Sequence, residues 1–180
     1  MATVLLKKHS PFYRLMFLKE RILIRLFLRN QAGEVAHFGS TSIPGMLAKP
    51  VIDIQVGVLE FETAFRCVGL LEQLGYDYHG ENAKLRQYYF TKGDPVRYRL
   101  YLLEPSNDLW ANRTRFRDLL MRDRTSFRQY ELLKRYLAIR FPHDIHSYQA
   151  GKRQFIDERV GPPTVDATEW KCLSVWSREP

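Results

Sequence analysis

The stretch from His37 to Val58 constrains this chain more than any other. It reads His37-Phe38-Gly39-Ser40-Thr41-Ser42-Ile43-Pro44-Gly45, then Met46-Leu47-Ala48-Lys49-Pro50, then Val51-Ile52-Asp53-Ile54-Gln55-Val56-Gly57-Val58. That order implies a strand, a turn of small residues, one short helix and a second strand. Val35 and Phe38 close a short apolar run, and Gly39 breaks it. Ser40, Thr41 and Ser42 offer hydroxyls and backbone N–H groups where a helix would begin. Such a helix start holds phosphate oxygens, because its unpaired N–H groups and its dipole point at them. Lys49-Pro50 ends the helix, since the residue before proline is pushed towards extended geometry. Asp53 then sits among Val51, Ile52, Ile54 and Val56. A carboxylate in such a run costs free energy unless it is paired or holds a metal. The residues alone leave a second reading open, a polar turn with a carboxylate facing solvent at a strand end.

At 180 residues the chain is long enough to bury a real core in one domain. Its 45% hydrophobic and 27% charged residues are those of a soluble globular protein. The formal net charge of +8 and the pI near 9.6 favour anionic partners such as nucleotides, nucleic acid or acidic surfaces. Cys67 and Cys172 are far apart in no metal-ligand spacing and read as free thiols of a reducing cytoplasm. Lys7, Lys8 and His9 interrupt any apolar run that a signal peptide would need. Phe12 to Leu28 is apolar but carries Arg14, Lys19, Glu20, Arg21 and Arg25, which forbids a membrane span.

Pro11 to Leu28 has the period of an amphipathic helix, with Phe12, Leu15, Met16, Ile22, Leu23, Leu26 and Phe27 on the expected inward face. Ser10 is its expected N-cap and Pro11 its first residue. Strands are expected at 34–38 and 51–58, and a helix over 61–74 with Phe61, Ala64, Phe65, Val68 and Leu71 inward, stopped by Gly75. A short strand should follow at 76–79, then a turn at Gly80-Glu81-Asn82. Residues 86–91 and 96–104 read as a hairpin around Lys92-Gly93-Asp94-Pro95. Helices are expected over 110–121, 126–141 and 143–160. Residues 161–180 have no clear periodicity, and Trp170 and Trp176 imply a tail that docks on the surface or on a partner. No Gly-x-Ser-x-Gly elbow, His-Glu-x-x-His, Walker pattern or Cys-x-x-Cys occurs, which argues against hydrolase, metalloprotease and P-loop kinase chemistry.

Gly39-Ser40, followed by Asp53 on a strand, resembles the nucleotidyltransferases related to DNA polymerase beta. The longer string resembles the GrpB-like family of predicted nucleotidyltransferases: His37-x-Gly39-Ser40-Thr41-Ser42-x-Pro44-Gly45, Ala48-Lys49-Pro50, then Ile52-Asp53-Ile54-x-Val56. The likeness continues in Gly75-Tyr76-x-Tyr78-x-Gly80-Glu81-Asn82, in Lys92-Gly93-Asp94, and in Phe116-Arg117-Asp118-Leu119-Leu120 with Tyr130, Leu133-Lys134 and Leu137-Ala138. It spans roughly residues 4–160. Two stretches depart from the pattern. Arg86-Gln87-Tyr88 stands where the family has a Gly-Arg-Arg type of turn, and Tyr98-Arg99-Leu100-Tyr101 stands where it has His-x-Leu-His.

The resemblance implies a mixed α/β (α+β) nucleotidyltransferase-like fold over residues 1–160. A small mixed sheet would have the Asp53 strand at its centre, with packed helices and a helical C-terminal half. It implies Mg²⁺-dependent transfer of a nucleotidyl group from an NTP to an unknown acceptor. Ser40 and Asp53 would carry the chemistry. Gly39, Ser40, Thr41, Ser42, Lys49, Arg117 and Lys134 would hold the nucleotide, and Asp53 with Glu104 would hold the metal. Such sites place two carboxylates two apart on one strand, so that both share a face. Here Gln55 takes the second position. The neighbouring strand offers Arg97, Arg99 and Tyr101 on one face, and Glu104 only near its end. The alternative is a degenerate fold that binds a nucleotide, a CoA-like ligand or RNA. Gln55 and the missing histidine pair favour it, and the fusion of GrpB-like domains to dephospho-CoA kinase in some proteins suggests the CoA-like ligand. His37 has two readings, a phosphate contact or a histidine satisfied within the sheet. Lys49, Arg117, Lys134 and Lys152 likewise read either as cleft cations or as surface charge.

Overall fold

Three apolar strands next to one another in space need covering on both faces, and the helices of this chain divide between those faces. The computed structural model describes residues 4–162. The readings for the rest of the tail, including Trp170, Cys172 and Trp176, lie outside the described residues. In chain order the elements are α1 (Phe12–Leu28), β1 (Val35–Phe38), β2 (Ile52–Gly57), α2 (Val68–Gln73), β3 (Asp77–Asn82), β4 (Gln87–Lys92), β5 (Tyr98–Leu103), α3 (Asp108–Arg122), α4 (Arg124–Arg140) and α5 (Ile145–Val160). The sheet order is β1-β2-β5-β4-β3. Only β2 and β5 run parallel; the other pairs are antiparallel. A mixed sheet with a helical C-terminal half is thus observed, but β5 is its middle strand and β2 lies one place off centre.

Alternation along the strands sends Ile52, Ile54, Val56, Leu100 and Leu102 to one face. There they meet Phe17, Ile24 and Leu28 of α1 and Phe61, Ala64 and Leu71 of the 61–73 segment. Each fully buried side chain of this kind contributes about 1.5–3 kcal/mol. Asp53, Gln55, Arg99, Tyr101 and Leu103 alternate with these residues and face α3 to α5, where Leu103 packs with Ala36, Leu109 and Trp110.

Several local expectations change. The buried residues of α1 are Tyr13, Phe17, Glu20, Ile24 and Leu28; of the stripe expected inward, Phe12, Leu15, Ile22 and Leu26 face out, while Met16, Leu23 and Phe27 are half-buried beside the core. Tyr13, Phe17, Ile24 and Leu28 form a second apolar stripe on this helix, interrupted in the sequence by Glu20. In the fold it is buried, because Lys92 Nζ reaches its carboxylate at 2.6 Å. Ser10 Oγ accepts from the Phe12 N–H at 3.3 Å, while Pro11 takes the N-cap position. The 61–74 helix is a 3-10 stretch over Phe61–Cys67 followed by α2, with Phe65 exposed. Strand β3 runs on through Gly80-Glu81-Asn82, because a bulge between Tyr78 and Gly80 absorbs the glycine, and the turn falls at 83–86.

The short helix after Gly39 is a single 3-10 turn, Ser40–Ser42. Pro44 and the positive φ of Gly45 stop it from continuing. The helical half follows its caps closely. Asp123 accepts from the N–H groups of Thr125 and Ser126, and Asp144 accepts from that of Ser147, so each carboxylate starts a helix.

Candidate functional site

Where β1 ends, Gly39 turns the chain at φ 71° and ψ −174°, a conformation essentially restricted to glycine. The turn brings the backbone against Asp53, its strand neighbour in register beside Phe38. A Cβ at Gly39 would lie 2.6 Å from Asp53 Oδ2. Glycine is therefore required here by the carboxylate as well as by the backbone.

The serine-threonine turn is largely satisfied from within. Ser42 Oγ donates to the Gly39 carbonyl at 2.6 Å. Thr41 is buried, and its single hydroxyl proton goes to the Val51 carbonyl at 3.1 Å. His37 Nε2, 3.0 Å from the same oxygen, must then be the donor, which fixes the ring as the Nε2–H tautomer. Burial, with Arg117 and His9 adding to it, lowers His37 to about 4, so the ring is neutral at neutral pH. It stacks on Phe17 at 4.8 Å. Of its two readings, the structure supports the satisfied histidine.

Ser40 is the member of the turn that faces the helical half. Its Oγ accepts from Lys134 Nζ of α4 at 3.0 Å, and the same ammonium donates to the Leu47 carbonyl. Lys134 is almost wholly buried, with the Tyr130 ring 5.0 Å from its nitrogen. Burial and the nearby Lys152 lower it to about 7, against the pull of Glu131.

These groups open onto a cavity of about 70 Å³ lined by Ser40, Thr41, Lys49, Asp53, Arg99, Lys134, Tyr148 and Lys152, with Leu6, Ala48 and Val51 supplying its apolar part. Four basic side chains and one carboxylate line it. Arg99 lies directly opposite Asp53 in the parallel β2–β5 register. Lys152 enters from α5, its nitrogen 4.4 Å from the Tyr148 ring. Burial lowers Lys152 to about 8, while Asp53 pulls the other way. Asp53 itself is raised by burial, against the downward pull of Arg99, Lys152, Arg113 and Lys49.

Of the residues singled out in the sequence, the structure brings together Gly39, Ser40, Thr41, Lys49, Asp53 and Lys134. Arg117 is not among the cavity residues. It donates to the His37 carbonyl at 2.9 Å and pairs with Asp118 at 2.8 Å, tying α3 to β1. Glu104 is separated from Asp53 too. It projects to the opposite side of β5, accepts from the Phe61 N–H at 3.2 Å and pairs with Arg86 at 3.1 Å.

The donor set does not suit a pair of Mg²⁺ ions. Gln55 has no exposed surface, and its Nε2 donates to Thr114 Oγ1 at 3.2 Å. The charged groups that act on Asp53 are cations: Arg99, Lys152, Arg113 and Lys49. No cluster of three or more His, Cys, Asp or Glu able to hold a metal occurs among the described residues. Sequence reasoning missed Arg99 as the partner of Asp53, because the pairing rests on a strand register between segments far apart in the chain. It missed Arg113 altogether. That guanidinium lies 4.8 Å from Phe38 and 4.4 Å from Tyr101 and donates to Gln87 Oε1 at 3.0 Å. No local pattern marks it.

Fold and site together define a mixed α/β domain with a small, cation-lined cavity where the turn after β1, strands β2 and β5, and helices α4 and α5 meet. The chain matches the family model described as GrpB protein over residues 3–160 and belongs to that family. It is 34% identical over 162 residues to the Glutamate-rich protein GrpB of Alkalihalophilus pseudofirmus, with 86% of this chain and 92% of that protein covered. To the UPF0157 protein YqkA of Bacillus subtilis it is 31% identical over 156 residues, covering 86% of this chain but 44% of that longer protein. The crystal structure of conserved protein GrpB from Enterococcus faecalis superposes with a TM-score of 0.77 at 27% identity, over 87% of this chain and 97% of that one.

Proposed function

We propose that this domain binds the phosphate-bearing end of a small anionic ligand without a divalent metal, in the cavity between the Gly39 turn and Lys152. The observation that carries the reading is the surroundings of Asp53. Arg99 and Lys152 stand where two-metal transfer would need further carboxylates. Fixed ammonium and guanidinium groups supply the positive charge that a metal would otherwise bring, and they recognise phosphate oxygens directly. At about 70 Å³ the cavity is smaller than the pockets, from about 300 Å³ upward, that enclose whole small molecules, and it suits a phosphoryl group. Any remaining part of the ligand would therefore lie outside the cavity.

Calorimetric titration with ATP and with inorganic pyrophosphate, each with and without Mg²⁺, tests this. Binding should not need Mg²⁺, and Lys152→Ala should weaken it roughly 10-fold, the loss of one charge-assisted hydrogen bond. Strict dependence on Mg²⁺, or metal-dependent turnover of labelled NTP, would overturn the reading in favour of nucleotidyl transfer.

A further inference from the structure

Two lysines of this chain reach inward, and their surroundings differ. Lys92 meets the carboxylate of Glu20 at 2.6 Å. Lys134 is only 1% exposed and meets no carboxylate of that kind. Among the described residues its hydrogen-bond partners are Ser40 Oγ at 3.0 Å and the Leu47 carbonyl, and neither carries charge. Glu131, the acid that acts on it, pairs with Arg135 at 3.0 Å. An ammonium buried among neutral groups is costly, and the neutral amine avoids that cost.

The placement is that of a base beside a nucleophile. The Leu47 carbonyl can only accept, so it holds one N–H of Lys134 whatever the charge of the lysine. The ammonium donates another proton to Ser40 Oγ. The neutral amine turns its lone pair that way instead and accepts the Ser40 hydroxyl proton. Nucleophile, base and orienting group are therefore Ser40 Oγ, Lys134 Nζ and the Leu47 oxygen. Ser40 and Lys134 both line the cavity to which Lys49, Arg99 and Lys152 bring positive charge. Those cations favour the charge that spreads over phosphoryl oxygens during transfer.

We propose that Ser40 is a nucleophile with Lys134 as its general base, and that it takes a phosphoryl group from a phosphoanhydride bound in the cavity. The proposal rests on the phosphate-binding reading of that cavity. Ser40 Oγ attacks the terminal phosphorus, and its proton passes to Lys134 Nζ. The bond from phosphorus to the bridging oxygen breaks. The leaving phosphate departs with the bonding electrons and takes the proton from Lys134. Water then attacks the phosphoserine and gives a proton to Lys134, which returns it to the departing serine oxygen. The sum is hydrolysis of one anhydride bond.

The groups that face Lys134 are Glu131 and Tyr130 on α4, Lys152 and Tyr148 on α5, and Lys49, Asp53 and Arg99 around the cavity. Burial raises both phenols, which stay protonated through neutral pH. Burial lowers Lys134 to about 7, so its amine form is available near neutrality. A base must lose its proton to act, whereas a cation that only binds phosphate must keep it. kcat should therefore rise from about pH 6 to about pH 9 while pyrophosphate binding weakens.

The probe is pyrophosphate with a chelator, read by phosphate release and by peptide mass spectrometry after an acid quench. The expected product is a phosphoryl group on Ser40, absent from Ser40→Ala, which still binds pyrophosphate by calorimetry because the cations remain. Lys134→Met should slow phosphate release by at least about 100-fold. Pyrophosphate that binds without modifying Ser40 or being hydrolysed overturns the proposal and leaves the binding reading standing. Absence of binding overturns both. Phosphoryl transfer at full rate in Lys134→Met removes the lysine as base. Should that variant not fold, a wild-type kcat that is flat across the same pH range removes it equally.

Discussion

At Gly39 two requirements coincide: a backbone angle open to glycine and a carboxylate where a Cβ would stand. Gly39→Ala should therefore cost about 1–3 kcal/mol from the backbone alone, before the contact with Asp53 is counted. In an Asp53→Ala background the contact disappears and the backbone cost remains. Denaturant titration of the four chains should show a smaller loss for Gly39→Ala when Asp53 is absent. Equal losses in both backgrounds would remove Asp53 from the account.

Gln55 carries the opposite lesson. On sequence alone, Gln55→Asp would restore a pair of carboxylates sharing a face. In the fold the position has no exposed surface, and the side chain is bonded to Thr114. A carboxylate there has no surface open to solvent, so the variant should lose several kcal/mol of stability. It should gain no Mn²⁺ site by electron paramagnetic resonance. A tight Mn²⁺ signal from a stable variant would show the donor set to be more adaptable than its packing indicates.

At the scale of elements, the cavity depends on how closely α5 approaches α4. Gly151, beside Lys152, permits that approach: a Cβ there would lie 2.6 Å from Leu137 Cδ2. Alanine is the better helix former by about 1 kcal/mol, but overpacking a filled contact costs about 1–3 kcal/mol. Gly151→Ala should thus be neutral to destabilising by thermal melt, while pyrophosphate binding weakens as Lys152 is pushed away from Asp53. Adding Leu137→Ala opens the contact and should recover binding, though at its own cost in stability. Binding unchanged in Gly151→Ala would mean that the helix spacing does not set the position of Lys152.

For the molecule as a whole, buried Lys134 and half-buried Lys152 make stability depend on pH. In the unfolded chain both remain protonated up to about 10.5. Folded, Lys134 releases its proton near 7 and Lys152 near 8. Between those values the unfolded state binds more protons, so these lysines make stability rise with pH. Below 7 both are charged in either state, and the cost of burying them is fully present. The melting temperature should therefore be higher at about pH 9 than at about pH 6.5, and Lys134→Met should shrink the difference. Pyrophosphate stabilises through the protonated forms, so its effect should be larger at the lower pH. A melting temperature that falls across this range in the wild type but not in Lys134→Met would reverse the assigned sign.

Local patterns were enough for the order of strands and helices and for the break between α3 and α4 near Asp123. Alternation, apolar period and short-range hydrogen bonding act over a few residues and leave their mark in consecutive positions. Which face of α1 turns inward depended instead on Lys92, 72 residues from Glu20. The helix carries two apolar stripes, and the Lys92 pairing lets the one that contains Glu20 turn inward. The partner of Asp53 likewise depended on the register of β2 against β5, and the cavity on two lysines from separate helices. Long-range pairing places those groups together, and no run of adjacent residues records it. The sequence therefore determined that a carboxylate stands beside a glycine turn, and tertiary packing decided that cations, not further carboxylates, surround it.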